Sequence, residues 1–190
     1  MAMTGKIVSV HVGAEGTLEK AGCDRIELAL DGIVGDRHRG LSREAWEGDK
    51  QPAGTERRNE RMWSAVSLEE LADIRETMDL VDPLTAATLG ANICLSGIPD
   101  FSRLPRGTVL SFDSGVVLMV EEYNPPCSDM GATIAELHQT REGHSIVPTA
   151  FSEAAKFLRG VVGVVEVPGF IRVGDTVTVT AEHLPRWLRR

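Results

Sequence analysis

TVLSFDSGVVLMVEEY, residues 108–123, is the stretch on which the fold turns. Two β-rich runs, 108–112 and 116–123, flank Asp113-Ser114-Gly115. Glycine takes the positive φ a tight reversal needs, so the segment predicts an antiparallel hairpin. The pattern repeats outward from it. Lys6 to Val12, Arg25 to Leu30, Ala91 to Leu95, Gly160 to Val167 and Thr176 to Ala181 are further short strand candidates. Gly and Pro punctuate the intervals, and residues 168–175, PGFIRVGD, read as a turn. Ser67 to Leu80 is the clearest helix. Ser67 and Glu70 have the spacing of a capping box, and Leu68, Leu71, Ile74 and Met78 share one face. Helices are also expected over 127–138, directly after Pro125-Pro126, and over 149–158. Residues 40–61 are polar and aperiodic and read as a long loop, a kind of segment that is often functional. These elements predict one domain over 1–190, mostly β with about three helices.

Composition narrows the function classes. The chain has 190 residues, 42% of them hydrophobic and 25% charged, which suits a globular core and excludes disordered and fibrous classes. The net charge of −8 argues against a nucleic-acid partner, whose phosphates want the opposite sign. No stretch approaches the roughly 18 apolar residues of a membrane span, and the start MAMTGKIVSV lacks the apolar block of a secretory signal. Cys23, Cys94 and Cys127 are odd in number and widely spaced. They form no disulfide framework and fit a reducing cytoplasm. His11, His38, His138, His144 and His183 show no zinc-site spacing.

Four places could carry chemistry. Gly35-Asp36-Arg37-His38 presents an acid, a fixed cation and an imidazole on one turn. Arg37 can clasp a phosphate or carboxylate, Asp36 can orient a neighbour, and His38 can donate to an oxyanion or shuttle a proton. The bland reading is a solvated Gly-Asp turn. Residues 55–61, TERRNER, place Arg57, Arg58 and Arg61 together, and they matter only if the fold brings them to Arg37. Asn92, at the entry of a strand, could bond a heterocycle edge or simply fill a turn. Cys127 follows two stiffening prolines at the start of a predicted helix, where the dipole stabilises thiolate. Cys23 and Cys94 read as inert buried thiols.

Together these strings resemble the MOSC domain, the C-terminal domain of molybdenum cofactor sulfurases, in its stand-alone bacterial form. The resemblance is carried in order by GIVGDRHRG (32–40), SLEEL (67–71), LGANI (89–93), LPRGTVLSF (104–112), GVVLMVEEYNPPC (115–127) and RGVVGVVEVPGFIRVGDTV (159–177). It implies a β-barrel and a molybdopterin-type molybdenum cofactor in a basic pocket. It implies that Cys127 binds molybdenum or carries sulfur, and that Gly35, Asp36, Arg37, Asn92 and Asn124 face the cofactor. Relatives often carry Arg or Lys just before the cysteine, where this chain has Asn124-Pro125-Pro126. The missing cation would then come from Arg57, Arg58 or Arg61. Some relatives reduce N-hydroxylated compounds, which here would need a small-molecule substrate and a separate electron-transfer or sulfur-donor protein. His38 is the histidine expected to take part. Two alternatives stay open: a binding or sulfur-carrier module that has lost the cofactor, and a metal-free thiol enzyme.

Overall fold

The computed structural model describes residues 2–13 and 18–181; His183 lies outside them. The elements run β1 (Ala2–Val12), β2 (Ala21–Cys23), β3 (Arg25–Ala29), β4 (Gly32–Ile33), β5 (Ser42–Glu44), β6 (Glu56–Arg58), β7 (Trp63–Ser67) and α1 (Leu68–Thr77). Then come β8 (Ile93–Ser96), a 3-10 turn (Phe101–Arg103), β9 (Val109–Phe112), β10 (Val117–Tyr123), α2 (Ser128–Leu137), α3 (Pro148–Ala154), β11 (Val161–Val167), β12 (Gly169–Arg172) and β13 (Thr176–Thr180).

Seven strands close into a barrel in the order β1-β8-β7-β11-β10-β9-β13, and β13 pairs back onto β1. Only β7 and β8 are parallel among the described strands. A parallel neighbour demands a long crossover, and α1 with the 78–92 segment supplies it. β1 pairs with three strands along its length: Ala2–Lys6 with β13, Lys6–Val10 with β8 and Val10–Val12 with β2. Closing the sheet on itself removes the open edges a flat sheet would expose.

The 108–123 hairpin forms as the alternation predicts. β9 buries Leu110 and Phe112 and exposes Ser111, while β13 buries Val177 and Val179 between half-exposed threonines. These side chains fill the barrel with Ile7, Leu118, Val120 and Trp63, whose indole N–H donates to Val164 O at 2.9 Å. β11 buries its first five residues, Val161–Val165: Val161, Val164 and Val165 belong to the barrel core, Val162 lies on the outer side, and helices α1 to α3 pack apart from that core. Those helices pack a second apolar cluster of Leu71, Ile74, Leu89, Met130, Ile134 and Phe151. In the barrel wall, Gly163 lets β11 and β10 approach closely: a Cβ would lie 2.0 Å from Met119 O.

Several local expectations change. Residues 40–61 are not a plain loop, since β5 and β6 pair within them as a two-stranded ribbon. The 168–175 turn contains β12, which pairs with β3. Ser67 does cap α1, accepting from Glu70 N at 3.4 Å. The Glu70 carboxylate does not return to close the box. It accepts from Ser102 N at 2.9 Å and Ser102 Oγ at 2.6 Å, which ties α1 to the 3-10 turn. Leu68 leaves the apolar face and is exposed, while Leu71, Ile74 and Met78 are buried.

Candidate functional site

β4 ends in a turn whose shape depends on two residues. Gly35 has φ +83°, a conformation that costs glycine little. Asp36 follows, buried at the centre of a hydrogen-bond cluster. Its Oδ2 accepts from Gly13 N at 3.0 Å, Lys20 Nζ at 2.7 Å and Asn92 Nδ2 at 2.7 Å. Its Oδ1 accepts from His38 N at 3.0 Å and meets His38 Nδ1 at 3.1 Å. Burial alone would raise the Asp36 pKa. The hydrogen bonds from His38 and Lys20, with the Lys20 charge, reverse this and hold it well below the usual carboxylate range. For His38 the bond to Asp36 raises the pKa, but burial and the Lys20 charge outweigh it and leave the imidazole below its ordinary value.

The cluster pins the turn against a cleft of about 670 Å³. Arg37, His38 and Arg39 enter it from the turn, Arg43 and Trp46 from the ribbon and its loop. Arg61 and Asn124 enter from the flanks of β7 and β10, Cys127 from the start of α2, and Arg159 from just before β11. Asn59 joins two of these walls, its Nδ2 donating to His38 O at 2.8 Å and Gly40 O at 2.9 Å. Leu18, Leu89, Pro125, Pro126, Met130 and Val162 supply an apolar lining.

Cys127 is the N-cap of α2, in extended conformation. Its thiol is exposed and makes no capping hydrogen bond. Arg61 Nη2 donates to Asn124 Oδ1 at 2.6 Å, and burial lowers the Arg61 pKa. Arg159 is only 7% exposed; its Nη2 donates to Leu89 O, and its Nη1 has no hydrogen-bond partner. Burial pushes its pKa down to about 10.

The fold therefore brings Arg37, His38, Arg61, Asn124 and Cys127 to one cleft. Gly35, Asp36 and Asn92 do not line it. Asn92 is spent inside the protein, its Nδ2 on Asp36 and His11 O and its Oδ1 on Ser64 N at 3.1 Å. Arg57 and Arg58 face a separate polar cavity of about 430 Å³. Arg57 pairs with Asp49 and Glu60, and Arg58 joins Arg106 in holding the buried Glu121. The bland reading of TERRNER, charges satisfied by neighbouring acids, thus holds for these two and not for Arg61. Cys94 is buried as expected, whereas Cys23 is exposed on β2.

Sequence reasoning missed Arg159, Arg43 and Trp46. Arg159 sits alone before an apolar strand, as solvated arginines commonly do, and only its burial marks it out. Arg43 and Trp46 lie in the segment read as a loop. Arg43 is already paired with Asp49, at 2.6 and 2.9 Å, and with Glu60. Trp46 is 57% exposed in the cleft mouth.

A family model described as the MOSC domain matches residues 37–178. The chain is 33% identical over 180 residues to YuaD of Bacillus subtilis (strain 168), covering 93% of this chain and 91% of YuaD, whose name carries the words metal-sulfur cluster biosynthesis. The crystal structure of YuaD superposes with a TM-score of 0.89 at 32% identity, over 96% of this chain and 99% of that one. YiiM from Geobacillus stearothermophilus shares the fold, with a TM-score of 0.60 at 17% identity, over 93% and 75% of the two chains.

Proposed function

Because this chain belongs to the MOSC domain family, we propose that its cleft binds a molybdopterin-type molybdenum cofactor, with Cys127 as metal ligand or sulfur carrier. The observation that carries the reading is that an exposed thiol shares one cleft with Arg37, Arg61 and Arg159 in a chain of net charge −8. A local cation cluster against an acidic background is what an anionic ligand requires. The volume lies within the ordinary range for small-molecule sites. The donor set fits the group: arginines for a phosphate, apolar and proline walls for a fused heterocycle, and one soft sulfur for the metal. When bound, such a cofactor supplies a two-electron metal centre.

The protein's own residues do the rest. Arg61 is braced by Asn124 and keeps its charge at the cleft wall. Asp36 fixes the His38 ring through Nδ1, so the other ring nitrogen is left for the cleft as the place to take up or return a proton. Cys127 stands exposed at the amino end of α2, with its thiol in the cleft. Reduction of an N-hydroxylated small molecule would draw electrons from a separate protein. The name of YuaD favours a second use of the same thiol: attack on a persulfide donor would move one sulfur to Cys127 and release the donor as a thiol, with no external oxidant. The cytoplasm is the proposed setting; among the described residues no helix is long and apolar enough to cross a membrane.

Protein made in a host with intact cofactor synthesis should carry near-stoichiometric molybdenum by elemental analysis. Arg37→Glu should deplete it, and Cys127→Ser should remove one sulfur from the metal's X-ray absorption shell. Wild-type protein free of molybdenum under those conditions would overturn the cofactor reading, and the persulfide reading would then be tested by mass spectrometry of Cys127 after incubation with a persulfide.

A further inference from the structure

Arg159 is built into the protein at a cost that its described neighbours offset only in part. Its side chain is more than nine-tenths buried, one end of the guanidinium is held by the Leu89 carbonyl, and Nη1 has no hydrogen-bond partner. A buried charged donor without an acceptor forfeits its hydration and gets nothing back, so an orphan of this kind calls for an explanation. The side chain lines the cleft. Cys127, Arg61 and Tyr123 are the ionisable groups that act on it most strongly, and no carboxylate is among them. Arg43, in the same cleft, contrasts with it by being neutralised by Asp49 and Glu60.

A second set of donors adjoins it. α2 has ten residues, and its N-cap Cys127 gives no side-chain acceptor to the first turn. Gly131 N bonds back to Cys127 O at 3.1 Å, whereas the amides of Ser128, Asp129 and Met130 precede the first intrahelical bond. Asp129, in that first turn, is exposed.

We infer that Arg159, Arg61 and the amino end of α2 form a seat for a doubly charged tetrahedral oxyanion, phosphate or sulfate in kind, beside Cys127. A planar guanidinium offers a fork of N–H groups, and a helix start offers amides from another direction. Donors converging from separate walls match a tetrahedral group better than a flat carboxylate. Two sources share this chemistry: the phosphate of a pterin-type cofactor, and an oxyanionic substrate or product that reacts at Cys127. The seat extends the cofactor reading without resting on it, because every residue it uses belongs to this chain.

The test is calorimetric titration of apoprotein from a cofactor-deficient host with inorganic phosphate and sulfate, with chloride as the ionic-strength control. Wild type should bind the divalent oxyanions, and they should slow iodoacetamide labelling of Cys127. Arg159→Met should weaken binding by about ten-fold or more and abolish that protection, as expected for losing a charge-assisted hydrogen bond. Arg159→Lys should lie between, and Arg58→Met, in the other cavity, should match wild type. If Arg159→Met fails to fold, Arg61→Met carries the same expectation. No oxyanion binding beyond chloride by wild type, or wild-type affinity in a folded Arg159→Met, overturns the seat. Molybdenum-loaded protein separates the sources. Loss of phosphate binding there assigns the seat to the cofactor's phosphate; retained binding assigns it to a substrate. Molybdenum content reports on the cofactor reading alone, so the two can fail separately.

Discussion

Lys20 Nζ lies 2.7 Å from Asp36 Oδ2, and neither side chain exposes any surface to solvent. The pair bridges the segment after β1 to the turn that carries Arg37 and His38, and Asn92 joins it from the entry of β8. Three separate parts of the chain thus converge on one carboxylate beneath the cleft floor.

Breaking that pair from both sides should cost less than the two single breaks added together. Lys20→Met and Asp36→Asn each leave buried polar partners uncompensated, and each should cost about 3–5 kcal/mol in urea unfolding. The double variant should be well short of the sum, with a coupling energy of about 1 kcal/mol or more. Additive costs would show that the two groups do not interact in solution.

Acid should reveal the same carboxylate. Its folded pKa lies below its unfolded value of about 4, so its stabilisation is complete above that pH and is lost as pH falls toward the folded pKa. The urea midpoint of wild type should drop between about pH 5 and pH 3. Asp36→Asn starts lower, and it should drop less over the same interval because it has no proton to bind there. Parallel curves would count against the assignment.

Brief iodoacetamide treatment of the folded apoprotein should label Cys127 first and Cys94 last. Cys94 is 3% exposed, and burial raises its pKa to about 11. Cys23 is exposed, but its thiol donates to Val10 O at 3.7 Å and partial burial raises its pKa. Cys127 caps a helix beside Arg159. Peptide mass spectrometry gives the order directly, and faster labelling of Cys23 would remove Cys127 from its proposed role.

Gly131→Ala should disturb the site from behind. The new Cβ would lie 2.1 Å from Pro148 O, so α2 and α3 must separate. A cost of about 1–3 kcal/mol is expected in thermal unfolding, with a changed Cys127 labelling rate as the amino end of α2 shifts. An unchanged rate in a destabilised variant would show that α3 alone moves.

The barrel strands were legible where one face is wet. In β9 and β13 the alternation of polar and apolar residues records the inside and the outside. β12 was hidden because four residues between two glycines look like a turn until β3 pairs with them. The β5–β6 ribbon was hidden because ionic side chains, not an apolar face, define it. The site divided along similar lines. Arg37, Arg61 and Cys127 stood out by motif, but nothing local separates Arg61 from Arg57 and Arg58. That distinction depends on which way each side chain leaves the ribbon and its flank. Arg159 was invisible because a residue's burial at the meeting of α2, β11 and the 78–92 segment is a property of the assembled fold.

The pairing of β1 with β13 joins Lys6 to Thr176 across 170 residues. During synthesis, then, β1 and β9 must wait with a bare edge each until β13 has left the ribosome. Ring closure is the last of the barrel pairings to become available, and contacts of such sequence separation form slowly. Until it occurs the nascent sheet offers two templates to any neighbouring strand. The Asp36 knot and the cleft residues up to Arg159 all precede β13 in the chain. A chaperone or a ligand arriving early would meet the lining of the cleft before the walls had joined.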